Sequence, residues 1–272
     1  MISDSRQSPD EILALESIAH LLADSARAAI LPYFRRFDLV EDNKLDRGYD
    51  PVTQADRAAE CAMRAILARE RPDDAILGEE YGSKEGQSGL TWVLDPIDGT
   101  RGFVSGTPTW GVLIAVSDDQ GPFYGMIDQP YIGERFFGTW GRAQMRGPQG
   151  QVDLRTRATK ALKNAIIFTT FPEVGTAAEG AAFRALAEQT KLTRYGMDCY
   201  AYALLAAGQI DLVVEAGLQA YDIQAPIALI EAAGGVVTDW QGRPAHHGGR
   251  ALAAANADVH AQALAILAEV TP

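Results

Sequence analysis

The chain has 272 residues, 47% hydrophobic and 22% charged, which suits one large domain or two closely packed halves around a substantial core. A formal net charge of −12, with no Lys/Arg cluster, argues against a nucleic-acid backbone as partner. Cys61 and Cys199 are far apart and form no CxxC pair, so neither a disulfide framework nor a zinc knuckle is expected. No apolar run reaches membrane-spanning length and Met1 to Asp10 is unlike a signal peptide; a cytoplasmic location and no membrane partner are the expectation.

Residues 11 to 37 place Ile12, Leu15, Ile18, Leu22, Ala26, Ala29, Tyr33 and Phe37 at helical spacing, with Pro32 expected to kink or divide the helix. A charged link, Asp38 to Asp50, follows. Thr53-Gln-Ala-Asp56 reads as a capping box opening a second helix that runs to about Arg69, with Asp in place of the usual Glu or Gln. Ile76-Leu77-Gly78 is a short buried strand ending at Glu79 and Glu80, and Tyr81 to Gly89 reads as a Gly/Ser-rich loop. Trp92 to Leu94 is the next strand. Beyond Thr109, strand signals at 112–116, 123–127, 135–137 and 143–145 alternate with turns, the pattern of an antiparallel meander.

The second half interleaves differently. Strands are expected at 165–170, 192–195, 210–214, 236–239 and 251–255, and helices at 177–188, 200–207, 223–233 and 258–267. Interleaving of this kind predicts an α/β chain of sheets layered with helices. There is no internal repeat or low-complexity segment. The chain reads as a single domain, 1–272, with an N-terminal half, 1–150, and a C-terminal half, 151–272.

The most informative stretch is Trp92-Val-Leu-Asp95-Pro-Ile-Asp98-Gly-Thr100, an apolar run ending in two aspartates three residues apart. Carboxylates where a buried strand meets a loop face a large desolvation penalty unless something cationic sits beside them. The stretch has no Lys or Arg before Arg101, and an oxygen-only donor set suits a hard divalent cation better than a single ammonium. Three further segments share this character: Asp50-Pro-Val-Thr-Gln-Ala-Asp56, Gly78-Glu79-Glu80, and Tyr221-Asp222 with Glu231-Ala-Ala-Gly-Gly235.

Together these segments resemble the inositol monophosphatase family of magnesium-dependent, lithium-sensitive phosphatases, from Lys44 to about Asn256. The resemblance implies a five-layer α-β-α-β-α sandwich, a homodimer, and two or three Mg²⁺ ions in a cleft between the halves. It places one ion on Glu79, Asp95 and the Ile97 carbonyl, and a second on Asp95, Asp98 and Asp222. A third would use Glu79, near a mobile loop matched by Lys44, Asp50 and Thr53. Thr100 and Glu79 would position and deprotonate the attacking water, with the Gly99-Thr100 amides cradling the phosphate. Amides at a helix N-terminus suit that last role on independent grounds. One departure is Tyr221, where the family usually has Trp.

Within the family, Asp95-Pro-Ile-Asp-Gly-Thr-Arg101-Gly-Phe-Val-Ser-Gly106 and Arg194-Tyr-Gly-Met-Asp198-Cys-Tyr-Ala-Tyr202 look most like the histidinol-phosphatase branch. Glu215, seven residues before Asp222, matches the position touching the non-phosphate part of the substrate. With Asp198 it would make an anionic wall, useful toward the ammonium and imidazole of L-histidinol phosphate and of little use to a polyol. Inositol 1-phosphate and a 3′(2′),5′-bisphosphate nucleotide are the alternative substrates. Other readings stay open. Arg101 could meet phosphate or form a structural ion pair; Asp198 could instead cap the helix that follows it; Asp56 reads as a cap and Glu80 as a neighbour of the site. Arg194 is undecided, His246 and His247 read as a surface loop, and Tyr195, Tyr200 and Tyr202 as mostly core.

Overall fold

The computed structural model describes residues 7–39, 41–43 and 51–269. Lys44 and Asp50 lie outside the described residues. In chain order the first elements are α1 (Pro9–Ile30), β1 (Glu41–Asn43), β2 (Pro51–Thr53), α2 (Gln54–Glu70), β3 (Ala75–Gly78), β4 (Gly82–Lys84) and β5 (Thr91–Asp98). They are followed by α3 (Thr100–Val104), β6 (Gly111–Asp118), β7 (Gly121–Gln129), β8 (Glu134–Thr139), β9 (Arg142–Gly147) and β10 (Gly150–Asp153). The remainder comprises β11 (Ile166–Thr169), α4 (Ala177–Ala187), β12 (Leu192–Tyr195), α5 (Asp198–Ala206), β13 (Leu212–Leu218), α6 (Ala220–Ala232), β14 (Val236–Thr238), β15 (Gly249–Ala254) and α7 (Ala257–Leu267).

Local chemistry sets the helix ends. Ser8 caps α1 by accepting the Glu11 amide at 3.1 Å, with Pro9 pre-set at the first position. The helix does not reach Phe37: Pro32 forbids continuation, α1 closes at Ile30, and Phe37 is fully exposed. The Thr53–Asp56 capping box forms as expected, with Asp56 Oδ2 accepting the Thr53 amide at 2.8 Å. Within residues 81–89, where the Gly/Ser content predicts a loop, β4 pairs antiparallel with β3. Its Gly-Ser-Lys sequence carries no alternation of apolar and polar residues. Its pairing is reinforced by Lys84 Nζ, which donates to the carbonyls of Pro72 and Asp74 at 2.7 and 2.9 Å.

Two sheets organise the chain. The larger, residues 75–153, has the order β10-β9-β8-β7-β6-β5-β3-β4; the smaller, residues 166–254, runs β12-β11-β13-β15-β14. The meander from β6 to β9 is antiparallel throughout, whereas β3 runs parallel to β5, and β11 parallel to both β12 and β13. α1 and α2 pack on one face of the larger sheet, α5 and α6 lie between the sheets, and α4 and α7 cover the far face of the smaller one. That is the expected α-β-α-β-α sandwich. Sheets covered on both faces read as continuous apolar runs, and β6 is accordingly buried from Gly111 to Ser117. Three apolar cores follow from the layering: one under α1 and α2, one around α5 and α6, and one under α4 and α7. Among the described residues, no helix is long and apolar enough to cross a membrane.

Candidate active site

The strand β5 is longer than the Trp92–Leu94 run and carries both aspartates within it. In a regular strand, residues three apart point to opposite faces. Here the ladder to β6 slips: Asp95 pairs with Leu113 but Asp98 with Gly111, so three steps on β5 match two on β6. Pro96, which has no N–H to give a ladder, sits in this bulge. The extra residue brings both carboxylates to one side. β3 supplies a third, because its parallel register sets Gly78 beside Leu94 and the next amide, Glu79, donates to the Leu94 carbonyl at 3.2 Å. Glu79 and Asp95 therefore leave their strands side by side.

The fourth carboxylate comes from the other half of the chain. Asp222 is the third residue of α6, where its Oδ2 accepts the Gln219 amide at 2.7 Å. Asp98 Oδ2 accepts the Cys199 amide at 2.6 Å at the start of α5, and Asp95 Oδ1 accepts the Ile97 amide at 3.0 Å. Two helix N-termini thus aim amides at the cluster, a favourable setting for negative charge. Oxygen atoms of Asp95, Asp98 and Asp222 come within 4.8 Å of one another. Burial, then the charges of Glu79, Asp98 and Asp222, push the Asp95 carboxyl well above the ordinary range. Asp98 is raised in the same way, by burial and then by Asp222 and Asp198. Such a set is unstable as bare carboxylates and is satisfied by a divalent cation with oxygen preference.

These groups line a cavity of about 400 Å³ together with Ile97, Gly99, Thr100, Arg101, Asp198 and Glu215. The Thr100 hydroxyl lies 3.1 Å from the Ile97 carbonyl, which accepts from it, and 3.5 Å from Asp56 Oδ1. Asp56 therefore both completes the capping box of α2 and neighbours the site, with burial pushing its carboxyl up to about 6. Gly99 is left-handed, φ 83°, and a Cβ there would lie 2.7 Å from that of Asp198. Asp198 does not cap α5. Its Oδ2 accepts from Thr109 Oγ1 at 3.1 Å, and its backbone is strained at φ 46°. Burial raises this carboxyl, opposed by Thr109 and Arg101.

Glu215 is buried and accepts from Thr169 Oγ1 at 3.1 Å and the Thr170 amide at 2.6 Å; burial nonetheless pushes it up to about 7. Arg101 lies over the ring of Phe171, 4.8 Å from its centroid. Sequence reasoning passed over Phe171, a half-exposed aromatic at the cavity rim, because one ring after a buried strand carries no periodic signal. It also passed over Gln219 as a cavity residue and Cys199 as the amide facing Asp98. Tyr202 is buried against the cavity, Tyr200 donates to Glu134, and Tyr195 is exposed. The rings of His246 and His247 lie tilted against each other, 4.2 Å between centroids, and do not line the cavity.

The five-layer α/β sandwich thus brings carboxylates from β5, the end of β3 and α6 into one cavity. The signature of the inositol monophosphatase family matches residues 13–271, and the chain belongs to that family. Among its curated relatives, the chain is 39% identical to the chloroplastic bifunctional phosphatase IMPL2 of Arabidopsis thaliana, covering 96% of this chain and 78% of the relative. It is 34% identical to the histidinol-phosphatase of Streptomyces coelicolor, covering 92% and 95% respectively. Among solved structures, an inositol monophosphatase from Zymomonas mobilis superposes with TM-score 0.83 at 38% identity, over 96% of this chain and 100% of the other.

Proposed function

We propose that this phosphatase is Mg²⁺-dependent and hydrolyses L-histidinol phosphate to L-histidinol and phosphate. The observation carrying the metal dependence is the convergence of Glu79, Asp98 and Asp222 on the buried Asp95 carboxylate, which they repel. Those four and the Ile97 carbonyl would hold two ions; a third is assigned to Glu79. When bound, such a pair would make coordinated water more acidic and neutralise charge on the phosphate. Thr100 and Glu79 would orient the attacking water, and the Glu79 carboxylate would accept its proton. The Gly99 and Thr100 amides face the phosphate, Arg101 flanks it, and no protein nucleophile is required.

Substrate preference rests on Asp198 and Glu215 lining the same cavity as the metal-facing carboxylates. A leaving group bearing an ammonium and an imidazole gains charge-assisted hydrogen bonds from that wall, whereas a polyol gains little. The histidinol-phosphatase name of the Streptomyces coelicolor relative supports this reading. The inositol monophosphatase name of the Zymomonas mobilis structure supports the alternative, inositol 1-phosphate. The deciding experiment is phosphate release from histidinol phosphate, inositol 1-phosphate and adenosine 3′,5′-bisphosphate, with and without Mg²⁺. We expect the highest kcat/KM for histidinol phosphate, turnover only with Mg²⁺, and none in Asp95→Asn. A higher kcat/KM for inositol 1-phosphate would overturn the substrate assignment.

A further inference from the structure

One turn beyond Asp56, the buried face of α2 presents a second carboxylate to the turn that follows β3. Glu60 is completely buried. Its Oε2 accepts the Glu80 amide at 2.7 Å; its Oε1 accepts the Tyr81 amide at 3.2 Å and Arg64 Nε at 2.7 Å. Arg64 also donates through Nη2 to the Gly82 carbonyl. Gly78, on the other side of Glu79, leaves room for this carboxylate: a Cβ there would lie 2.0 Å from Glu60 Oε1. Residues 78–82, the turn that carries Glu79 out of β3, are thus seated on one buried side chain.

An ion pair between Glu60 and Arg64 alone would not require this arrangement, since a buried pair is commonly replaceable by apolar residues of similar size. The two convergent peptide N–H groups do require it. We infer that Glu60 is a positioning residue for metal binding, holding the turn so that the Glu79 carboxylate stays beside Asp95. The inference rests on the reading of Glu79 as a metal ligand, and Glu60 acts through the backbone at 80 and 81. A carboxylate is needed because three donors meet two oxygens. A glutamine amide offers one acceptor oxygen and an NH₂, so in either orientation a donor faces a donor. Groups that orient a ligand from behind typically change metal affinity by about 10- to 100-fold when removed.

The test is calorimetric titration of the purified protein with Mg²⁺, compared across Glu60→Gln, Glu79→Gln and Met63→Ala, with thermal unfolding alongside. Met63 lies on the same helix, wholly buried in the apolar core, and controls for loss of stability. Glu60→Gln is expected to raise the Mg²⁺ Kd by about tenfold or more, with kcat largely restored at saturating Mg²⁺. Met63→Ala is expected to lower Tm and leave that Kd within about twofold of wild type. A wild-type Kd in Glu60→Gln, or an equal weakening in Met63→Ala, overturns the inference. Should Glu60→Gln fail to fold, Arg64→Gln leaves the carboxylate but frees it: a smaller rise in Kd is expected, and an unchanged Kd is the overturning result. Intact Mg²⁺ binding in Glu79→Gln would instead remove the ligand reading of Glu79, and the inference with it.

Discussion

At the scale of single residues, the site depends on backbone irregularities that place carboxylates where regular structure would not. The spacing of Asp95 and Asp98 was plain in the sequence, but their shared side was not, because it follows from the slip of β5 past β6 at Pro96 and Ile97. Asp198 is a second case. Its left-handed backbone, φ 46°, is a conformation that Asp and Asn tolerate and Ala resists, so the informative variant is Asp198→Asn. That variant keeps the shape and the backbone while removing the charge. If Asp198 recognises the cationic leaving group, KM for histidinol phosphate rises about tenfold or more, matching the loss of a charge-assisted hydrogen bond of roughly 1.5–3 kcal/mol. Glycerol 2-phosphate, which has no cation, is expected to keep its KM within about twofold. Steady-state kinetics on both esters measure this, and an unchanged KM for histidinol phosphate would remove Asp198 from recognition.

At the scale of elements, the fold was most legible where capping chemistry and continuous apolar runs coincide. Thr53 with Asp56, and the strands of the meander, stand where the sequence put them, because caps and buried runs act locally. Legibility failed where tertiary contacts decide: β4 exists because β3 offers it an edge. α6 likewise begins three residues before its expected start, at Ala220, with Gln219 and Asp222 closing its first turn. Its seat against the larger sheet is equally tertiary. A Cβ on Gly125 of β7 would lie 2.1 Å from the Ala225 carbonyl oxygen, so helix and strand touch through backbone. Gly125→Ala must push α6 outward, at a cost of about 3 kcal/mol. For a chain of this size that is a fall in Tm of roughly 6–12 °C. Differential scanning calorimetry checks it, and a loss below about 2 °C would mean that the helix has room to give.

At the scale of the whole molecule, the layers are tied by a charge network around the buried Arg135 and Asp128 as well as by apolar cores. Arg135 of β8 bonds Asp128 of β7 at 2.7 Å and Asp24 of α1 at 2.7 Å, while Arg27 of α1 reaches Asp128 at 3.3 Å. The network fastens α1 to the sheet. His20 belongs to it: its Nδ1 lies 3.1 Å from Arg135 Nη1, which can only donate, so that nitrogen must accept and the proton resides on Nε2. Protonating Nδ1 would set a donor against a guanidinium. Burial, then Arg135 and Arg146, accordingly lower the imidazole from 6.5 to about 4. The unfolded chain therefore binds a proton that the native state refuses between those values. This group's stabilising contribution is complete above pH 6.5 and falls away as pH drops toward about 4. Asp56 and Glu215, both raised, act in the opposite direction, so the wild-type profile mixes the two. His20→Gln separates them, since the amide oxygen still accepts from Arg135 and does not titrate. In urea unfolding at about pH 7.5 and about pH 5, wild type should lose about 1 kcal/mol more stability than the variant, allowing for partial exposure of the ring. Parallel losses would show that His20 takes up its proton as readily in the folded protein as in the unfolded chain, and that the contact with Arg135 does not govern its charge.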